Sequence, residues 1–544
     1  MNRNGTRKTA DGQSSLFRFL VVLLSALLSV AVFGCGNLGE RRKPPALAVD
    51  PDLYPYVSGM LPGPAEVIST DAERAVLEGR ADFGLTLNVP RSPDVIAERI
   101  SSVPMAVAVH FLEPVDGITL SEARSIADSP GAATLNGARL TVVPRRSFLK
   151  RGWLREGEAT CIVFGESGAG LKLLSVDGVA PTGETVRSGD YRFLEPLYLL
   201  ARDRRSSAEM SRRLSEALAG AQPPMEPTAT LTAVGDIMLA RGVGTLIDRY
   251  GTGYPLGLVA DILSSSDISF ANLESPIGVG GSPLPGKLIW FRAKPKTVDC
   301  LTGAGIDAVT LANNHTLDYD SENLLETIAI LDRAGIAHCG AGRNLTEARK
   351  PAIVQRKGIT VAFLGYNEFA HPNLFWSLRY PRTLLAGPDV PGTPPIDLTM
   401  VAEDIAAARQ VADVVVVAYH WGQEYTNHPV PYFGKDLKAI ARRTIELGAD
   451  IVLGFHPHAI QGLEVYRGGL IAYSLGNFVM DQKREITRES MIVRCLISKK
   501  GVLATEVIPA MIEDGRPRRL YGDEASRLLA KIRSISASLS DAPR

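Results

Sequence analysis

The stretch "VLGFHPHAIQG" (452–462) runs an apolar segment straight into His456-Pro457-His458. A short apolar run closed by a proline turn reads as a buried strand. A histidine pair at its end is either an ordinary hydrogen-bonded turn or part of a site, and the rest of the chain has to decide between them. Four more strands of the same kind precede it. "TATLTAVGDIML" (228–239) ends in Gly235-Asp236, "DISFANLESPI" (267–277) in Asn272 and Glu274, "DAVTLANNHTLDYD" (307–320) in Asn313, Asn314 and His315, and "DVVVVAYHWGQEY" (413–425) in His420. Helical segments such as "SENLLETIAILDRAGI" (321–336) and "KDLKAIARRTIELG" (435–448) lie between them. Near-continuous Val/Ile/Leu runs alternating with amphipathic helices predict an α/β fold with a mostly parallel sheet covered on both faces.

In open α/β sheets, ligands bind beyond the carboxyl ends of the strands. All five strands place Asp, Glu, Asn or His there. Seven of the chain's 8 histidines (315, 338, 371, 420, 428, 456 and 458) fall between 315 and 458. Random placement would leave about two in a quarter of the chain, so the histidines are gathered for a purpose. Oxygen and imidazole donors without a thiolate suit one or two divalent ions such as Mn, Fe or Zn. Two histidines flanking one residue can send each ring to a different ion, and a carboxylate between two ions can bridge them.

The remainder of the chain sets the context. With 544 residues, two or three domains are expected. Lys+Arg and Asp+Glu both number 59, which argues against a nucleic-acid partner bound through a basic surface. Arg3, Arg7, Lys8 and Arg18 precede the apolar run "FLVVLLSALLSVAVFG" (19–34), an export signal. "VFGC" (32–35) is read as a lipobox with Cys35 as the lipidated residue, in preference to an uncleaved signal anchor. The expected location is therefore extracytoplasmic, tethered to the membrane through a lipid anchor. Cys161, Cys300, Cys339 and Cys495 are widely spaced and read as small buried hydrophobes. The expected organisation is a signal (1–35), a spacer (36–52), a smaller α/β domain (53–218), a Pro-rich linker (219–229), a larger domain (230–512) and a helical tail (513–544). In the first half, "GESGAG" (165–170) reads as a flexible turn rather than an anion loop.

Taken in order, "GDIML", "FANLESPI", "LANNHTLDYD", "YHWGQEY" and "GFHPHAIQGLEVYRGGLIAYSLGNFVMD" resemble the capsule-synthesis CapA (PgsA) family of poly-γ-glutamate assembly, a branch of the calcineurin-like metallophosphoesterases. The resemblance spans about 228–512 and implies a layered α-β-α metallophosphoesterase-like domain. By position, Asp236 matches the first-motif aspartate and Glu274 stands where phosphoesterases have the bridging aspartate. Asn314 matches the asparagine ligand, and His420, His456 and His458 match the late histidine ligands. His315 matches the histidine that acts as proton donor to the leaving group. One position departs from the pattern: the phosphoesterase first motif is Asp-x-His, and here the third residue is Met238. More loosely, "DGITLSEARSIA" and "TVRSGDYRFLEPLYLL" in the first half resemble periplasmic phosphate-type substrate-binding proteins.

The expected function is poly-γ-glutamate or related anionic capsule-polymer biosynthesis or export. The metal site would carry out hydrolysis or transfer, the anionic polymer would be its substrate, and other capsule synthesis or export proteins would be partners. The alternatives are a non-catalytic polymer-binding assembly factor and a general metal-dependent phosphoesterase. Asp318 and Asp320 read as a helix N-terminal charge and cap. Glu424 reads either as steering a histidine or as part of a solvated loop.

Overall fold

The structure, a computed structural model, describes residues 46–539 apart from 52, 54–65, 129–130, 136–137, 152–153, 165–167, 205–206, 209, 213, 215–226 and 375–381. The export signal, Cys35 and most of the Pro-rich linker lie outside the described residues, as does the start of "GESGAG".

The apolar strands of the second half form two sheets rather than one. In the first sheet, Ala337–Cys339, Ala308–Thr310, Ile268–Leu273 and Thr228–Ile237 run parallel. Glu489–Ser498, Gly501–Glu513 and Arg516–Arg519 extend it antiparallel. In the second, Ile359–Asn367, Val414–His420, Ile451–Phe455 and Gly469–Ala472 run parallel, with an antiparallel strand at each edge. Successive side chains of a strand point to opposite faces, and the burial follows that rule. Val361, Phe363, Val414 and Val416 face the other sheet with Leu231 and Phe270, whereas Ala362, Leu364, Val415 and Val417 face helices. Phe270 and Phe363 stack across the seam, centroids 4.5 Å apart.

Helices Arg241–Tyr250, Val298–Gly303 and Asp320–Ala334 cover the outer face of the first sheet. Leu398–Ala408 and Leu437–Glu446 cover the second. The layers are thus helix, sheet, sheet, helix. A strand buried on both faces reads the same whether its second cover is a helix or another sheet, so the α/β class was legible and the doubling was not.

The first half builds its own mixed sheet around the long strand Ile96–His110 and Leu194–Ala201. Two expected boundaries need correction. Ala46–Val49 is not spacer: it pairs with Glu66–Ser69 on one side and Phe83–Thr86 on the other, burying Leu47, Ala48 and Val49. Four apolar residues between prolines and aspartates are too few to show a period. The expected helical tail from 513 onward holds a helix, but its described part, up to 539, is packed into the body and begins with a strand. Arg516–Arg519 is a sheet strand, and helix Gly522–Leu539 buries Leu528, Leu529 and Ile532 in the inter-sheet core. The halves touch directly: Phe111, Leu112 and Ala169 enter that core, and Gly168 N donates to Leu503 O at 3.1 Å.

Candidate metal centre

The parallel strands of both sheets deliver their carboxyl ends to one place. Asp236 is in register with Asn272 on the neighbouring strand, past a shift in pairing between Ala233 and Asp236. It therefore shares a face with Asn272, on the side of Phe270 and the seam. On the other sheet His420 continues the face of Val414, Val416 and Ala418. Glycine makes the close approaches possible: a Cβ on Gly235 would lie 1.9 Å from Gly476 O, and one on Gly454 would lie 1.8 Å from Tyr473 O.

The His-Pro-His turn is strained. His456 has φ +94° and His458 φ +55°, conformations that cost a non-glycine residue about 1–3 kcal/mol each and persist only where the surroundings hold them. Here Pro457 O accepts from Tyr425 N at 2.8 Å. The two rings end 5.8 Å apart and serve different neighbours. His456 Nδ1 lies 3.1 Å from His420 Nε2. His458 Nδ1 lies 2.9 Å from Asn477 Oδ1 and 3.3 Å from Asp236 Oδ2, and its Nε2 is 3.8 Å from Glu274 Oε1.

Among the described residues, three groups could hold a metal ion, each with its ligand atoms within 4.8 Å of one another. They are Asp236, Glu274 and His458; Glu274, His420 and His456; and Glu424, His456 and His458. Glu274 belongs to the first two, the place of a bridging carboxylate. Asn314 Oδ1 adjoins the second, 3.1 Å from His420 Nε2. The donor atoms fit a divalent cation. Both oxygens of Glu274, Asp236 Oδ2, His420 Nδ1 and His456 Nε2 are buried and accept or donate no hydrogen bond. Such orphans are rare because each costs its desolvation, and here all five belong to residues of the first two groups. The sequence-predicted donors Asp236, Glu274, Asn314, His420, His456 and His458 are thus brought together, with His315 beside them.

Electrostatics agree with a cation site. Burial, then the neighbouring Asp236 and Glu424 carboxylates, hold Glu274 well above the ordinary carboxyl range, with Lys287 opposing. Burial, then the adjacent rings, holds His420 and His456 well below the usual imidazole value, in the neutral form a metal needs. His458 differs: burial lowers it, but the Asp236 carboxylate outweighs burial and raises it.

His315 is held from two sides. Its Nδ1 is 2.7 Å from Asp318 Oδ2, and its ring stacks on Phe291 with centroids 3.8 Å apart. Asp318 is fully buried and also accepts from Phe291 N at 2.5 Å and from the Lys287 ammonium. Lys287 Nζ donates in turn to Asn314 O at 2.6 Å. Asp318 is therefore not a helix-end charge as its spacing suggested. It lies two residues before helix Asp320–Ala334 and orients the histidine. Sequence reasoning missed Lys287 altogether; the loop "PLPGKLIW" around it carries no periodicity that points inward.

The other candidates fall as follows. Met238 sits wholly in the core against the helices, its Sδ accepting from Ala240 N at 3.1 Å, so it supplies no ligand. Asn477 contacts His458 directly. Trp421 is core, stacked on Tyr419 with Nε1 donating to Tyr473 O at 3.0 Å. His371 stacks on Phe433, two rings away from His456. His338 pairs with Asp332 at 3.1 Å, away from the centre.

Fold and site together define a layered α/β protein in which two candidate metal-holding groups share one carboxylate. The family described as bacterial capsule synthesis protein PGA_cap matches residues 230–482. The capsule biosynthesis protein CapA of Bacillus anthracis is 34% identical over 307 residues, covering 56% of this chain and 72% of that protein. The PGA biosynthesis protein CapA of Bacillus subtilis (strain 168) is 32% identical over 292 residues, covering 53% and 73%. The chain belongs to this bacterial capsule synthesis family. Among solved structures, a Staphylococcus aureus protein assigned as a 5'-nucleotidase is similar over 56% of this chain and 58% of its own, at 14% identity and TM-score 0.31. An ABC-type phosphate transport receptor from Vibrio cholerae is similar over 32% of this chain and 94% of its own, at 10% identity and TM-score 0.23. At such scores neither likeness adds to what the sheet order already shows.

Proposed function

We propose that this chain is an extracytoplasmic, lipid-anchored protein of poly-γ-glutamate or related anionic capsule-polymer biosynthesis or export. Its metal centre would hydrolyse or transfer an amide or phosphoester bond. The observation that carries the metal-dependent reading is Glu274, a buried carboxylate with no hydrogen-bond partner that belongs to two ligand groups at once. Asp236, Glu274, Asn314, His420, His456 and His458 would hold the ions. When bound, divalent ions such as Mn, Fe or Zn supply Lewis acidity and activate water.

The chain's own groups support the rest. With Nδ1 of His315 committed to Asp318, Nε2 is the ring nitrogen left to exchange a proton with the substrate, taking one up before it can deliver it to a leaving group. Arginines stand beside the same site. The Arg241 guanidinium, ion-paired with Asp481, lies 5.0 Å over Phe291, the ring that stacks on His315. The Arg484 guanidinium lies 4.3 Å over Tyr425, whose ring is 6.1 Å from His458, and suits a carboxylate of a polymer chain. The first half would serve as a ligand sensor joined to the same packed body.

The test is incubation of the metal-loaded full chain with poly-γ-glutamate and, separately, with a generic phosphodiester. Polymer shortening or transfer that falls at least tenfold in His315→Ala is expected. Turnover of the phosphodiester alone would replace this reading with a general phosphoesterase. Met238, standing where phosphoesterases place a ligand, favours a second reading as a polymer-binding assembly factor. Metal-dependent polymer binding with no turnover of either compound would establish it.

A further inference from the structure

The metal centre of the proposed function lacks one donor. Met238 occupies the position that would complete the Asp236 side, and its thioether is turned into the core. The described residues hold one further carboxylate within reach: Glu424, which forms a ligand group with both histidines of the His-Pro-His turn.

Its backbone is fixed on both sides. Two residues before it, Gly422 N donates to the buried Glu368 Oε2 at 2.6 Å, and Phe433 N, where the loop returns, donates to the other oxygen at 3.1 Å. One residue after it, Tyr425 adopts φ +63° and donates its N–H to Pro457 O, between the two histidines. A loop that only met solvent would need neither anchor. His456, which shares this group with Glu424, is buried and its Nε2 has no hydrogen-bond partner.

We propose that Glu424 is a metal ligand on the His456–His458 edge.

The inference rests on the metal reading, and one experiment separates the two. The full chain is stripped of metal and titrated with Mn²⁺ or Zn²⁺ by calorimetry, alongside Glu424→Gln and Glu424→His. Wild type is expected to bind two ions. Glu424→Gln should keep the apo melting temperature but lose at least about tenfold in affinity for one of them, and Glu424→His, which restores a donor, should recover most of that loss. A Glu424→Gln protein that binds both ions as wild type does overturns the ligand assignment and leaves the metal centre standing. A wild type that binds neither ion overturns both.

Discussion

The two sheets contribute different chemistry to one centre. The first supplies oxygen: Asp236, Glu274 and Asn314 all follow its parallel strands. The second supplies nitrogen: His420 ends one strand, and His456 and His458 follow the next. The two groups that share Glu274 each draw on both sheets, whereas the group of Glu424, His456 and His458 comes from the second alone. Docking of the sheets through Phe270, Phe363 and their neighbours is therefore what creates the centre, and metal bound there should stabilise the docked state.

The nitrogen side breaks most visibly. His456→Ala should remove the donor set Glu274–His420–His456 and lower metal content by about one equivalent, with an unchanged circular dichroism spectrum. His458→Ala should do the same to the Asp236 side. If either variant keeps full content, that ring is not a ligand. A smaller effect is expected just outside the ligand set. Asp318→Asn removes the charge that orients His315, so turnover should fall by about 10- to 100-fold at unchanged metal content. An equal fall in metal content would instead make Asp318 part of the binding site.

Acid should give the mildest effect. Burial pushes His315 down to about 4 from an ordinary value of 6.5, opposed in part by Asp318. The buried His110 in the first half is likewise lowered to about 4, by burial and then by Arg533. Between those values the unfolded chain binds more protons than the folded one, so stability is full above pH 6.5 and is lost as pH falls toward 4. Chemical denaturation of the metal-free chain at pH 7 and pH 5 should show the decline. A flat profile would mean these rings are not buried as described.

Much of this was readable in the sequence. Strand ends and helices followed from apolar runs, and the polar residues that meet at the centre lie where those runs stop; the choice of six candidate ligands and of His315 among them came from the family resemblance. What escaped depended on contacts distant in sequence. Nothing local to Val414–His420 says that one of its faces meets Phe270's sheet rather than a helix. Asp318 looked like a helix terminus because its partners, Lys287 and the Phe291 N–H, come from about thirty residues earlier. Ala46–Val49 gained its role from strands paired on both sides, not from its own four residues.

The most direct measurement is the metal content of the purified full chain by elemental analysis, with Glu274→Ala beside it. Because Glu274 belongs to the donor groups of both sides, two equivalents are expected in the wild type and close to none in a folded variant. A folded wild-type chain that holds no divalent metal after reconstitution, or a variant that keeps both equivalents, would contradict that expectation.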